Sequence, residues 1–317
     1  MPAADADRAA DVPLSPRPAK FASLNTRLLD DAALDRVYVD LVRPLLFEDL
    51  SASAAPELIM VGGQPGAGKT AATVQAVRDL MRHGGGVAYI NGDELRPFHP
   101  QYAALVAADR STAADKTGAD VGLWVERAIR EAAAGRFHAV IETTMRQPEV
   151  VRRTAKQFTA QGFGFEMRVV VVDPEASQLG IYERFATGLA SPSALPRFTL
   201  PSYHADSLAQ MPKTLAGVVK LAKVIRFVDR QGRELYSSRA SKVSPVKALE
   251  DLRRQPLPDG ERQRIATQWA TLVQRLDRDG VPDMVRQGVR SEQTRFAALQ
   301  EQGRAAPPGR PQEGLDR

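Results

Sequence analysis

Residues 63–70 read Gly-Gln-Pro-Gly-Ala-Gly-Lys-Thr and follow the apolar run Leu58, Ile59, Met60, Val61. This is the G-x-x-x-x-G-K-[ST] (Walker A) spacing, between a strand and a helix as its chemistry requires. Glycines let backbone N–H groups curl around phosphate oxygens without Cβ clashes, and the next helix offers its positive N-terminal end. Lys69 then reaches the β- and γ-phosphates, and the Thr70 hydroxyl is the expected magnesium ligand. Gly63, Gln64, Pro65, Gly66, Ala67, Gly68, Lys69 and Thr70 are therefore the expected ATP-binding loop. A Gly-rich surface turn with an incidental lysine is the alternative.

A second stretch, Asn91-Gly92-Asp93-Glu94-Leu95-Arg96-Pro97-Phe98-His99-Pro100, puts a carboxylate at a strand end where a second substrate would face the γ-phosphate. In phosphoryl transfer the protein mainly positions groups and spreads charge, while a carboxylate accepts the acceptor's hydroxyl proton. Asp93 suits that role; capping the following helix is its other reading. His99 is expected to fix the turn before Pro100. Arg184, beside Glu183, reads by itself as a member of a solvated helix face.

In combination these motifs resemble the zeta toxin kinases of bacterial toxin–antitoxin systems. The resemblance rests on Gly-Gly-Gln-Pro-Gly-Ala-Gly-Lys-Thr, on Asn-Gly-Asp-x-x-Arg-x-x-His-Pro-x-Tyr and on Val-Ile-Glu-Thr-Thr-Met-Arg. Tyr182-Glu183-Arg184-Phe185, Arg197 and Glu234-Leu235-Tyr236-Ser237-Ser238 add to it, from about residue 30 to about residue 240. It implies an ATP- and Mg²⁺-dependent kinase that phosphorylates the 3′-hydroxyl of the sugar of UDP-N-acetylglucosamine, blocking peptidoglycan precursor synthesis. Asp93 then matches the catalytic base, Lys69 the nucleotide-loop lysine, and Arg184 and Arg197 the clamp on the transferring phosphate. Glu126, Glu142, Thr144 and Arg146 match positions lining the sugar-nucleotide pocket. A small helical antitoxin is the implied partner. Two departures stand out: Glu142 occupies the strand end where a Walker-B aspartate is usual, and Thr143 stands where the family often has glycine. The alternatives are a P-loop kinase of another nucleotide-sugar, dinucleotide or nucleoside, and a nucleotide-switched binding protein.

The elements that must carry these residues alternate along the chain. Strands are predicted at Glu57–Gly62, Val87–Asn91, His138–Glu142 and Phe165–Asp173; helices are predicted at Lys69–Arg82, Gly122–Ala134, Pro148–Gln161 and Pro174–Gly188. Such alternation implies the α/β class: a P-loop NTPase-type, mainly parallel sheet with helices on both faces, ligands lying beyond the carboxyl ends of its strands. Helical periodicity from Leu28 to Leu50 and over Gln263–Leu276 adds N- and C-terminal helical extensions. Ser191–Pro201 reads as a proline-stiffened loop closing over the site, followed by a helix at Ser202–Gly217 and a hairpin of Lys223–Val228 with Glu234–Ser238. The expected domains are a disordered 1–27, a kinase domain over 28–240 and a polar, partly helical extension over 241–317.

Composition narrows the classes. The chain has 317 residues, 43% hydrophobic and 26% charged, as in a soluble globular protein. Its net charge of +5 is too mild to argue for nucleic acid, and from residue 251 onward 12 basic side chains face 10 acidic ones. No apolar run is long enough to cross a bilayer, and the N-terminus carries Asp5, Asp7 and Asp11 in place of a signal peptide's apolar stretch. With zero cysteines there are no disulfides and no thiolate metal sites, which suits a cytoplasmic protein.

Overall fold

The computed structural model describes residues 26–190 and 198–305. Helix α1 (Asp31–Val37) starts on the Asp30 carboxylate, which accepts the Ala33 N–H, and continues through a π turn at Tyr38–Val42 into α2 (Arg43–Phe47). Then follow β1 (Glu57–Gly62), α3 (Thr70–Met81), β2 (Val87–Ile90), α4 (Gly92–Leu95), α5 (Tyr102–Ala108), α6 (Ala113–Lys116), α7 (Gly118–Ala134) and β3 (His138–Thr143). The second half runs α8 (Pro148–Thr159), β4 (Gly164–Val170), α9 (Pro174–Ala190), α10 (Pro201–Val218), β5 (Val224–Val228), β6 (Glu234–Ser237), α11 (Pro245–Arg254), α12 (Asp259–Leu276) and α13 (Asp283–Ala305).

The six strands form one sheet in the order β2-β3-β1-β4-β5-β6, parallel except for β6, which returns antiparallel to β5. Strand β1 shows why the chain folds this way. Leu58 and Met60 enter one apolar cluster and Ile59 and Val61 another, so its continuous apolar run is buried on both faces. The P-loop strand therefore sits centrally, with helices on both sides of the sheet.

The structure departs from the sequence expectations in places. Strand β4 ends at Val170, short of Asp173; α4 is the helix supposed at Asp93, and helices α5 and α6 fill a stretch for which no element was expected. Those helices span one or two turns, too short for apolar periodicity to register. The polar extension contains three helices. Ile265, Trp269, Leu272 and Leu276 of α12, with Val285, Val289 and Phe296 of α13, bury a face of α9 that carries Leu179, Tyr182 and Phe185. Tyr182 meets Trp269 edge-on at 5.3 Å between centroids, and Arg295 of α13 grips both carboxylate oxygens of Glu175.

Several expectations fall outside the described residues: the disorder of residues 1–25, the closing loop over 191–197 with Arg197, and the tail from 306. Arg27, at the edge of the expected disordered stretch, bonds Asp31 at 2.6 Å. Among the described residues, no helix is long and apolar enough to cross a membrane.

Candidate active site

The phosphate loop is built from a turn and a helix start. Ala67 N–H donates to Gln64 O at 3.1 Å, closing a β-turn with Pro65 at its second position and Gly66 at its third, where φ is +77°. Proline followed by a residue of positive φ is the type II turn, and glycine takes the third position without strain. A side chain at Gly66 would also collide with the Ser177 carbonyl of α9, because its Cβ would lie 1.9 Å from that oxygen. Helix α3 begins at Lys69 with no side-chain cap, so its first N–H groups are left to a ligand. Lys69 Nζ lies 3.4 Å from Gly63 O, and Thr70 is exposed at the loop mouth. The Gln64 side chain turns away from the loop interior: its amide donates to Val172 O and Ser177 Oγ, bracing the loop on α9.

The carboxyl ends of β1, β3 and β2 are level, since Met60 pairs with Ile141 and Ile141 with Ile90. Glu142 stands at the middle end. Its Oε1 accepts from Thr73 of α3 at 2.8 Å and from the Tyr89 hydroxyl at 2.9 Å, and Tyr89 in turn accepts from Asn91 at 2.8 Å. Burial, and then the Glu142 charge, push the Tyr89 hydroxyl above its ordinary pKa, so it stays protonated and able to donate.

Asp93 lies in the first turn of α4, but it does not cap that helix. Asn91 does: its side chain accepts the Asp93 N–H at 3.0 Å. The Asp93 carboxylate instead receives Arg96 Nε at 3.1 Å, with 36% of the side chain exposed. Arg96 is held from behind by Ala114 O and by Thr117 Oγ1. His99 fixes the next turn. Its Nδ1 accepts the Gln101 N–H at 3.2 Å, which leaves Nε2–H to donate to buried Asp120 at 3.1 Å.

The other candidates separate into two groups. Arg184, on α9, donates to Thr199 Oγ1 at 2.8 Å, and its buried Nε has no hydrogen-bond partner among the described residues. Burial lowers its pKa, and the charge of Glu142 acts in the opposite sense. Arg146 stacks over the Tyr203 ring of α10 at 3.9 Å. Thr144 is exposed beside Met145, whose φ of +57° is uncommon for a side-chain-bearing residue. The turn is held by Thr143 Oγ1, which accepts Met145 N–H, and by Thr214, whose hydroxyl donates to Met145 O. The Thr143 hydroxyl thus ties the turn together. Glu126 lies on the exposed side of α7, paired with Arg153 of α8 at 3.2 Å.

Sequence reasoning passed over Tyr89, Thr73 and Arg230. Arg230 sits in the β5–β6 turn, yet its Nη2 donates to Gly66 O at 3.0 Å and to Ala176 O at 2.7 Å.

A phosphate loop on the central strand, a lysine at its mouth and carboxylates along the same sheet edge define a P-loop protein of kinase-like fold. The chain belongs to the zeta toxin family, toxins of toxin–antitoxin systems, whose model matches residues 45–241. It is 29% identical over 208 residues to Toxin zeta of Enterococcus hirae, covering 65% of this chain and 72% of that protein. Toxin PezT of Streptococcus pneumoniae serotype 4 is 25% identical over 202 residues, covering 63% and 79%. A solved structure from the PezAT chromosomal toxin–antitoxin system of Streptococcus pneumoniae superposes with a TM-score of 0.65 at 20% identity, covering 79% of this chain and 99% of that one. The family match ends just past β6, so α11, α12 and α13 lie outside it.

Proposed function

We propose that this chain is a cytoplasmic kinase that uses ATP and Mg²⁺ to phosphorylate the 3′-hydroxyl of the sugar of UDP-N-acetylglucosamine, and that a small helical antitoxin restrains it. The observation that carries this reading is Asp93. Asn91 relieves it of capping, Arg96 holds its carboxylate, and its strand end lies two strand spacings, or about 10 Å, from the phosphate-loop strand. That gap can hold a γ-phosphate and an attacking hydroxyl, with Asp93 taking the hydroxyl proton. A nucleotide-switched binding protein has no need of such a group.

Lys69 and the open N–H groups of α3 bind the phosphates, while Arg184 and Arg197 spread the charge on the transferring group. The Thr70 hydroxyl offers a hard oxygen donor of the kind a magnesium ion takes, the phosphates supplying others. That ion would neutralise phosphate charge. The acceptor's sugar and phosphates are assigned to Glu126, Glu142, Thr144 and Arg146. The antitoxin is suggested by the PezAT relative, itself part of a toxin–antitoxin system.

The test is incubation with γ-labelled ATP and a panel of nucleotide-sugars, dinucleotides and nucleosides. Label on the 3′-oxygen of UDP-N-acetylglucosamine is the expected result. Label on another acceptor redirects the substrate, and ATP binding without any transfer favours the switch protein. In the same assay Arg184→Lys keeps the charge but loses the fork, and kcat is expected to fall about ten- to a hundredfold with a smaller rise in KM for ATP. A change confined to KM removes Arg184 from the clamp.

A further inference from the structure

The outer side of the phosphate loop rests on α9 with almost no spare room. Gly66 cannot carry a Cβ because of Ser177 O, and a Cβ on Gly180 would lie 2.7 Å from Gly66 O. Into this seam reaches one side chain from a remote turn. Arg230 Nη2 bonds Gly66 O and Ala176 O together, and its stem runs alongside Gly68, where a Cβ would lie 3.4 Å from Arg230 Cγ. The turn that aims it is itself locked. Asp229 Oδ1 accepts the N–H groups of Gln231 and Arg233, both at 2.9 Å, and its Oδ2 accepts Arg233 Nε at 2.6 Å.

We propose that Arg230 is a positioning residue of the phosphate loop. It holds the Gly66 carbonyl outward against α9 and so fixes the Gln64–Ala67 turn in its phosphate-binding shape before any nucleotide arrives. The guanidinium suits this because it cannot deprotonate and its donors point in fixed directions. Burial lowers the pKa of Arg230; the Glu183 carboxylate on α9 acts in the opposite sense, and on α12 the Arg264 charge lowers it while Glu261 raises it. A loop ordered in advance loses less conformational freedom on binding, which raises affinity without any contact to the ligand.

The inference rests on the nucleotide-binding reading, and the test separates the two. Hydrogen exchange is followed by mass spectrometry on the nucleotide-free full chain, and a fluorescent ATP analogue is titrated in parallel. Arg230→Met keeps the stem against Gly68 and removes the donors. Exchange over residues 63–69 is expected to quicken about tenfold, with β1 and α13 unchanged, and the analogue to bind about tenfold more weakly. Arg230→Lys should recover part of both losses. Exchange and affinity within about twofold of the parent overturn the proposal. If Arg230→Met unfolds, Asp229→Asn decides, since it loosens the turn and leaves Arg230 in place. Faster exchange over 63–69 supports the proposal, and a parent-like rate overturns it. A parent that binds no nucleotide, yet shows the exchange difference, keeps Arg230 in its role and removes the kinase reading.

Discussion

Lys69→Ala is expected to lower phosphoryl transfer by a factor on the order of 10²–10³ or more, with the fold intact. The ammonium lies 3.4 Å from Gly63 O, at the mouth of a loop whose α3 N–H groups have no side-chain cap. It is half-buried there, where a charge acts on phosphate more strongly than in bulk water. Alanine removes that charge and leaves the Gln64–Ala67 turn, the Gly66 seat on α9 and the Arg230 bonds in place. Circular dichroism and the melting temperature should therefore match the parent while turnover collapses. Turnover within about tenfold of the parent, roughly 1.4 kcal/mol of barrier, overturns the assignment of the loop to ATP.

The parts of the fold that read directly from the sequence are those whose signal is local. The run at Leu58–Val61 followed by glycines and Lys69 names a strand, a loop and a helix start at once, and the structure has β1 and α3 there. The amphipathic spacing of Ile265, Trp269, Leu272 and Leu276 marks a helix, yet nothing in it says what the apolar face covers. That face lies on α9, the helix that also carries Arg184 and seats Gly66. The functional importance of the extension thus depends on a contact that periodicity cannot report.

Arg230 shows the same limit more sharply. Asp229-Arg230-Gln231-Gly232 reads as the turn of a hairpin, and the bonding partners of Arg230 are 164 and 54 residues away in sequence. Thr73 looks like one more helix residue until β3 brings Glu142 within 2.8 Å of it. Gln64 falls inside the motif, but the motif does not say that its amide points to Ser177 and not toward phosphate. Spacing names the residues that surround the phosphates. It leaves unstated which of them hold the loop from behind.

Asp93→Asn separates base catalysis from helix capping and from the hydrogen bond to Arg96. The helix cap belongs to Asn91, whose bond is to the Asp93 backbone N–H, so the substitution leaves it untouched. Asparagine keeps the size and can still accept Arg96 Nε through its carbonyl oxygen, so the Arg96 links to Thr117 and Ala114 have no reason to break. What is lost is a carboxylate able to take the acceptor's proton. Transfer to the acceptor is expected to fall by about 10²–10⁴, with ATP affinity within about twofold of the parent. Slow ATP hydrolysis by water should fall far less, because it does not use the acceptor's hydroxyl. Single-turnover transfer, ATP titration and acceptor-free hydrolysis measured on one preparation distinguish the outcomes. Full transfer activity reduces Asp93 to a partner for Arg96. Loss of ATP binding moves it among the phosphate or metal ligands and leaves the acceptor without a base on this sheet edge.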